Sequence, residues 1–115
     1  MHVEVNTDDN VEGSEELTDR VKIAVESSLG RFTNQITRIE VHLSDENSHK
    51  SAANDKRCAI EARPTGLQPL AATHSAATLD QAVGGAIEKL ERLIESTLGR
   101  RDDLKRATDR GDHMA

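Results

Sequence analysis

The chain has 115 residues, a net charge of −6 and 35% apolar residues, with one Phe, no Tyr or Trp and a single Cys. That composition describes one domain with a single core of Ala, Val, Ile and Leu. It leaves no internal disulfide and no run of about 20 apolar residues to cross a bilayer. The N-terminal MHVEVNTDDN lacks the basic and apolar regions of a secretory signal, so the cytoplasm is the expected compartment. The acidity is local. Residues 1–19 carry seven acids and no Lys or Arg, whereas the other 96 residues carry 14 acids and 15 bases. A modest basic patch elsewhere is compatible with the negative total.

In chain order, His2–Asn6 alternates around Val3 and Val5 and is expected to be a strand, followed by a polar, acidic turn over Thr7–Gly13. Ser14 can cap a helix whose first turn carries Glu15 and Glu16, at the positive end of the helix dipole. Its apolar face is Leu17, Val21, Ala24, Val25 and Leu29, and Gly30 is a stop signal. Ile36–Ser44 alternates, with Ile39, Val41 and Leu43 on one face and Arg38, Glu40 and His42 on the other. Asp45–Asp55 reads as a polar loop. Lys56–Arg63 alternates again, with Cys58, Ile60 and Ala62 inward and Arg57, Glu61 and Arg63 outward; Pro64-Thr65-Gly66 breaks it. Leu70–Ser75 is a weaker strand, and Pro69 marks it as beginning at a sheet edge.

Thr78–Gly99 carries the clearest pattern in the chain. Thr78 and Gln81 form a capping box, and Leu79, Ala82, Val83, Ala86, Ile87, Leu90, Ile94 and Leu98 recur at three- and four-residue steps. Gly99 is placed to end this helix in a left-handed turn; of Arg100–Ala115, nearly without apolar residues, at most the first turn is expected to extend the helix, and the domain of residues 1–100 is expected to be followed by a disordered, mixed-charge tail over 101–115. The order is therefore β-α-β-β-β-α. The expected fold is α+β: a four-stranded sheet with two helices on one face and a wet opposite face, where Lys56, Arg57 and Arg63 pair with Glu40 and Glu61.

No catalytic constellation emerges. His2, His42, His49, His74 and His113 lack the spacing of zinc ligands, and no metal or other cofactor is expected. His74 falls at an inward position near a strand end and reads as structural, and Cys58 as inert core. Gly84-Gly85 lacks the context of a phosphate loop; close packing of helix on sheet is the simpler account.

Three segments in this order resemble the ribosome hibernation factors, small ribosome-associated translation inhibitors also described as sigma-54 modulation proteins. Phe32–Ser44 is similar to that family's passage from first helix to second strand, His49-Lys50 falls at its basic loop, and Ala76–Ile94 resembles its last helix, most clearly at Lys89-Leu90-Glu91-Arg92. The likeness spans roughly residues 2–100, as in a short member, with an acidic N-terminal end, a longer loop and no aromatics near the last helix. It implies a fold like that of double-stranded-RNA-binding domains. The implied function is non-enzymatic: docking on small-subunit rRNA in the messenger and transfer RNA channel, inhibiting translation or stabilising idle ribosomes under stress. It implies no DNA, membrane or small-molecule partner, and a free monomer.

Carried over by position, the RNA contacts would be Arg20 and Lys22 on the first helix, Arg31 after it, Lys50 in the loop, and Lys89, Arg92, Arg100 and Arg101 on and after the last helix. The alternative is a protein-interaction module of the same fold that has lost ribosome binding. On local spacing alone Arg20 would pair with Glu16, and Arg92 with Glu88. A core this poor in aromatics predicts modest stability, on the order of 5 kcal/mol. Thermal unfolding followed by circular dichroism is expected below about 80 °C; a higher midpoint would contradict this reading of the core.

Overall fold

The computed structural model describes residues 1–46 and 55–114, and the side chains of 1–46 and 55–102. The elements run β1 (His2–Thr7), α1 (Glu15–Leu29), a 3-10 turn (Gly30–Phe32), β2 (Ile36–Asp45), β3 (Lys56–Pro64), β4 (Leu70–Ala76) and α2 (Leu79–Met114). The sheet order is β1-β2-β3-β4. β1 lies parallel to β2, which requires a crossover, and α1 supplies it; β2, β3 and β4 pair antiparallel. This is the α+β architecture expected from the strand and helix order, with the parallel edge strand as an addition.

The alternating strands place their faces as read. Ile39, Val41, Leu43, Cys58, Ile60 and Ala62 are buried, while Arg38, Glu40, Glu61 and Arg63 face the other way. A bulge between Ile36 and Arg38 breaks the alternation, so that Ile36 and Ile39 both point into the core. Against this face sit Leu17, Val21, Val25 and Leu29 of α1 and Ala82, Val83, Ala86, Ile87, Leu90 and Ile94 of α2, all buried. The acidic turn after β1 is less solvated than its composition predicts. Asp8 accepts from the Asn10 and Val11 backbone, and Val11 is turned into the core.

Both expected cap hydroxyls accept, Ser14 from the Leu17 N–H at 3.1 Å and Thr78 from the Gln81 N–H at 3.1 Å, but the Gln81 side chain does not return the second bond of the expected capping box. The ends differ. α1 stops at Leu29 with Gly30 as its cap, as expected, but Gly30 stays right-handed and the chain tightens into a 3-10 turn. Gly99 does not end α2, which continues to Met114 where a disordered tail was expected. Among the described residues the one positive-φ glycine is Gly66 (φ 74°), third residue of the Pro64–Leu67 turn joining β3 to β4. Arg101 donates to the Thr65 carbonyl of that turn at 3.3 Å, fastening α2 beyond Gly99, and the following RRDDLKRA stretch consists largely of good helix formers.

The two central glycines of α2 are not equivalent. A Cβ on Gly85 would lie 2.1 Å from the His74 ring of β4, whereas one on Gly84 would meet nothing within 4 Å. Close packing therefore accounts for Gly85 alone. Gly84→Ala is expected to stabilise by up to about 1 kcal/mol through helix propensity. Gly85→Ala is expected to destabilise by roughly 1–3 kcal/mol, and a His74→Ala background should relieve most of that loss. Equal effects of the two alanines in denaturant melts would contradict this asymmetry.

Candidate nucleic-acid interface

Helical periodicity divides the surface of α2 into two charged flanks. Glu88, Glu91 and Glu95 follow one line at steps of three and four, and Asp80 lies on the same side. Lys89, Arg92, Ser96 and Arg100 follow a second line offset by one residue. Long-range contacts orient both. The acidic flank faces α1, because Asp80 takes Arg20 at 3.0 Å and Glu91 takes Arg31 at 3.3 Å, with Glu95 also paired to Arg31. The basic flank adjoins β4, because the Lys89 ammonium donates to the Thr73 carbonyl at 3.0 Å, satisfying a backbone group of that edge strand.

The expected RNA contacts accordingly fall into different settings. Arg20 pairs with Asp80 of α2, not with the local Glu16. Arg31 stacks on the Phe32 ring, 4.2 Å from its centroid, and is held by two carboxylates. Its pKa is raised chiefly by the hydrogen bond to Glu95, against the opposing effect of desolvation and with Glu91 adding. Arg92 takes Glu88 at 2.7 Å, the i,i+4 pair expected from spacing. Lys22 lines a groove between β1 and α1 beside Glu15 and Asp19. Among the described residues Lys22 and Arg100 have no ion pair, Lys89 and Arg101 bond to backbone carbonyls, and Lys50 lies outside the described residues. A second cleft, bounded by Arg31, Phe32, Gln35, Leu98 and Arg101, separates the end of α1 from α2.

The wet face of the sheet neutralises itself. Arg38 pairs with Glu4 of β1 and, at 2.8 Å, with Glu40; Arg63 reaches Glu61 at 3.0 Å and Glu40 at 4.0 Å. Only Arg63 makes the expected pairs with Glu40 and Glu61. Arg57 takes Glu46 at 3.1 Å, and Lys56 takes Asp45 and Asp55 at 3.1 and 3.0 Å because it closes the mouth of the β2–β3 loop. The Lys56 pKa is raised, first by the Asp55 hydrogen bond and then by Asp45. Among the described residues no group of three or more His, Cys, Asp or Glu could hold a metal, and no helix is long and apolar enough to cross a membrane.

Two helices on one face of a four-stranded mixed sheet, with a cationic flank on the second helix, define a small α+β domain. The chain belongs to the family of sigma 54 modulation proteins and S30EA ribosomal proteins, whose model matches residues 5–102. Its fold is similar to that of the Thermus thermophilus Protein Y N-terminal domain (TM-score 0.68, 18% identity, 84% of this chain and 99% of that one). It is also similar to a ribosomal subunit interface protein from Coxiella burnetii (TM-score 0.64, 17% identity, 86% and 99%). No curated protein matches the chain significantly.

Cys58 stands apart from this surface. It is fully buried, and burial pushes its thiol up to about 12 from an ordinary 9.0. The folded thiol thus resists ionisation while the unfolded one ionises. Stability should be intact below pH 9 and fall as pH climbs from 9.0 toward about 12. Cys58→Ala should flatten that alkaline slope in denaturant melts; an unchanged slope would contradict a buried, neutral thiol.

Proposed function

We propose that this protein is a non-enzymatic, cytoplasmic ribosome-associated factor. It binds small-subunit rRNA in the channel used by messenger and transfer RNA, and it inhibits translation or stabilises idle ribosomes under stress. Family membership and the fold support the ribosomal setting. The observation that carries the assignment to this surface is the line of Lys89, Arg92 and Arg100 along one exposed flank of α2. Phosphate oxygens are fixed and anionic; Arg can grip them bidentately and Lys acts as a point charge. Lys22, and Arg20 and Arg31 after release from their carboxylates, would extend the contact across α1, with Arg101 at the far end of α2. Inhibition then needs no bond made or broken. A rigid domain in the channel excludes the RNAs that would occupy it.

One observation favours a second reading, a protein-binding module of the same fold. The α1 cations and the wet sheet face are balanced by carboxylates, and seven acids gather in residues 1–19. Charge reversal separates the two. The Lys89→Glu/Arg92→Glu/Arg100→Glu variant should lose co-sedimentation with purified small subunits while unfolding like wild type. Pelleting at wild-type level would contradict the assigned flank. Recovery of one protein partner without rRNA would favour the second reading.

A further inference from the structure

We propose that the outer edge of β1 takes up an extended, Lys- and Arg-rich segment of a protein partner, which adds to the sheet as a further strand with its cations against Glu15 and Asp19 of α1. The inference goes beyond the RNA reading and does not depend on it.

The two edges of the sheet differ. β4 begins just after Pro69, and Lys89 of α2 covers its Thr73 carbonyl at 3.0 Å; Pro and Lys at an edge both discourage a foreign strand. β1 carries no Lys, Pro or bulge. Asp8, next after β1, donates to the Leu43 carbonyl of β2 at 3.0 Å. In a parallel pair, successive residues of the outer strand turn their N–H and C=O alternately toward the partner and away from it. Glu4 and Asn6 therefore address β2, while Val3, Val5 and Thr7 turn both groups outward. Among the described residues nothing bonds to those outward groups. Strand addition draws its affinity from unpaired backbone of this kind. Beside the edge runs a groove of about 510 Å³ between β1 and α1, where Val5, Thr7, Glu15, Thr18, Asp19 and Lys22 meet.

Charge selects the occupant. Every carboxylate from Glu40 to Glu95 is paired with a Lys or Arg. Among the described residues Asp8, Asp9, Glu12, Glu15, Glu16 and Asp19 have no cationic partner, and all lie in the turn after β1 or the first turns of α1. Lys22 is the one cation lining the groove. This unneutralised field repels phosphate and attracts Lys and Arg, so the edge suits a basic peptide and not RNA. Alternate residues of an added strand share the face toward α1. Two residues of strand advance about 6.6 Å and four of helix about 6 Å, so cations at successive alternate positions can reach both Glu15 and Asp19.

The test uses the full chain and a capped Lys-Thr-Lys-Val-Lys-Thr-Lys peptide. At about 1 mM peptide, hydrogen exchange at the Val3, Val5 and Thr7 amides should slow. N-methylation of one alternate set of peptide nitrogens should abolish binding and of the other set leave it intact, because a strand turns a single edge to β1. Glu15→Gln/Asp19→Asn should weaken binding about fivefold, and Glu26→Gln/Asp102→Asn, an equal change of charge away from the groove, should weaken it less. A Glu-Thr-Glu-Val-Glu-Thr-Glu peptide should not bind, and oligouridylate should leave the β1 amides unprotected. The proposal is overturned if the basic peptide does not slow those amides, if both methylated peptides bind alike, if the control pair weakens binding as much, or if the acidic peptide or oligouridylate protects the same amides. None of these readouts involves small subunits, so they stay decisive if ribosome binding fails.

Discussion

The seat of α2 on the sheet is the constraint from which the rest of the surface follows. Gly85 lets the helix press against His74 of β4, and the buried row from Ala82 to Ile94 fixes its rotation. Once that rotation is set, every other α2 side chain has its direction assigned at 100° per residue. One flank must look toward α1 and the other toward the free side of β4. The charge pattern of the sequence matches this division: carboxylates face the neighbouring helix, and cations face outward. A helix turned by a third of a revolution would offer the same residues and present no cationic line.

Charge is distributed in this protein by pairing more than by total. Among the described residues many of the arginines meet a carboxylate of the same chain, and these are exposed contacts of small individual worth. Their effect lies less in stability than in the field they leave behind. On the wet sheet face Glu40 sits between Arg38 and Arg63, so strand-borne cations contribute little net potential. On α2 the cancellation is incomplete, and positive charge persists around Lys89 and Arg100. A net charge of −6 coexists with a cationic strip because the surplus acids are concentrated in the first nineteen residues.

Much of the fold was legible in the sequence because local periodicity and burial agree. Alternation in Ile36–Ser44 and Lys56–Arg63 assigned both faces of the central strands, and three- and four-residue steps assigned the buried sides of both helices. What escaped were features decided by distant partners. The parallel placement of β1 depends on a crossover, and Val11 is buried by the Asp8-centred turn, not by any pattern of its own. Gly99 resembles a helix stop, yet Arg101 finds the Thr65 carbonyl and the helix goes on. For the candidate interface, spacing identified the cations but not their states. It paired Arg20 with Glu16 when Asp80, sixty positions away, is the partner, and nothing local foretold that two α2 carboxylates would hold Arg31.

The central claim is that the cations left without a carboxylate partner among the described residues, Lys22, Lys89, Arg100 and Arg101, meet phosphates of folded rRNA. The most direct measurement is the dependence of small-subunit binding on salt concentration. Plotted as logarithms, affinity should fall with a slope of roughly −3 to −4, the value for about four phosphate contacts. Binding that is insensitive to salt would mean that the contact is not with phosphate, and the account would fail.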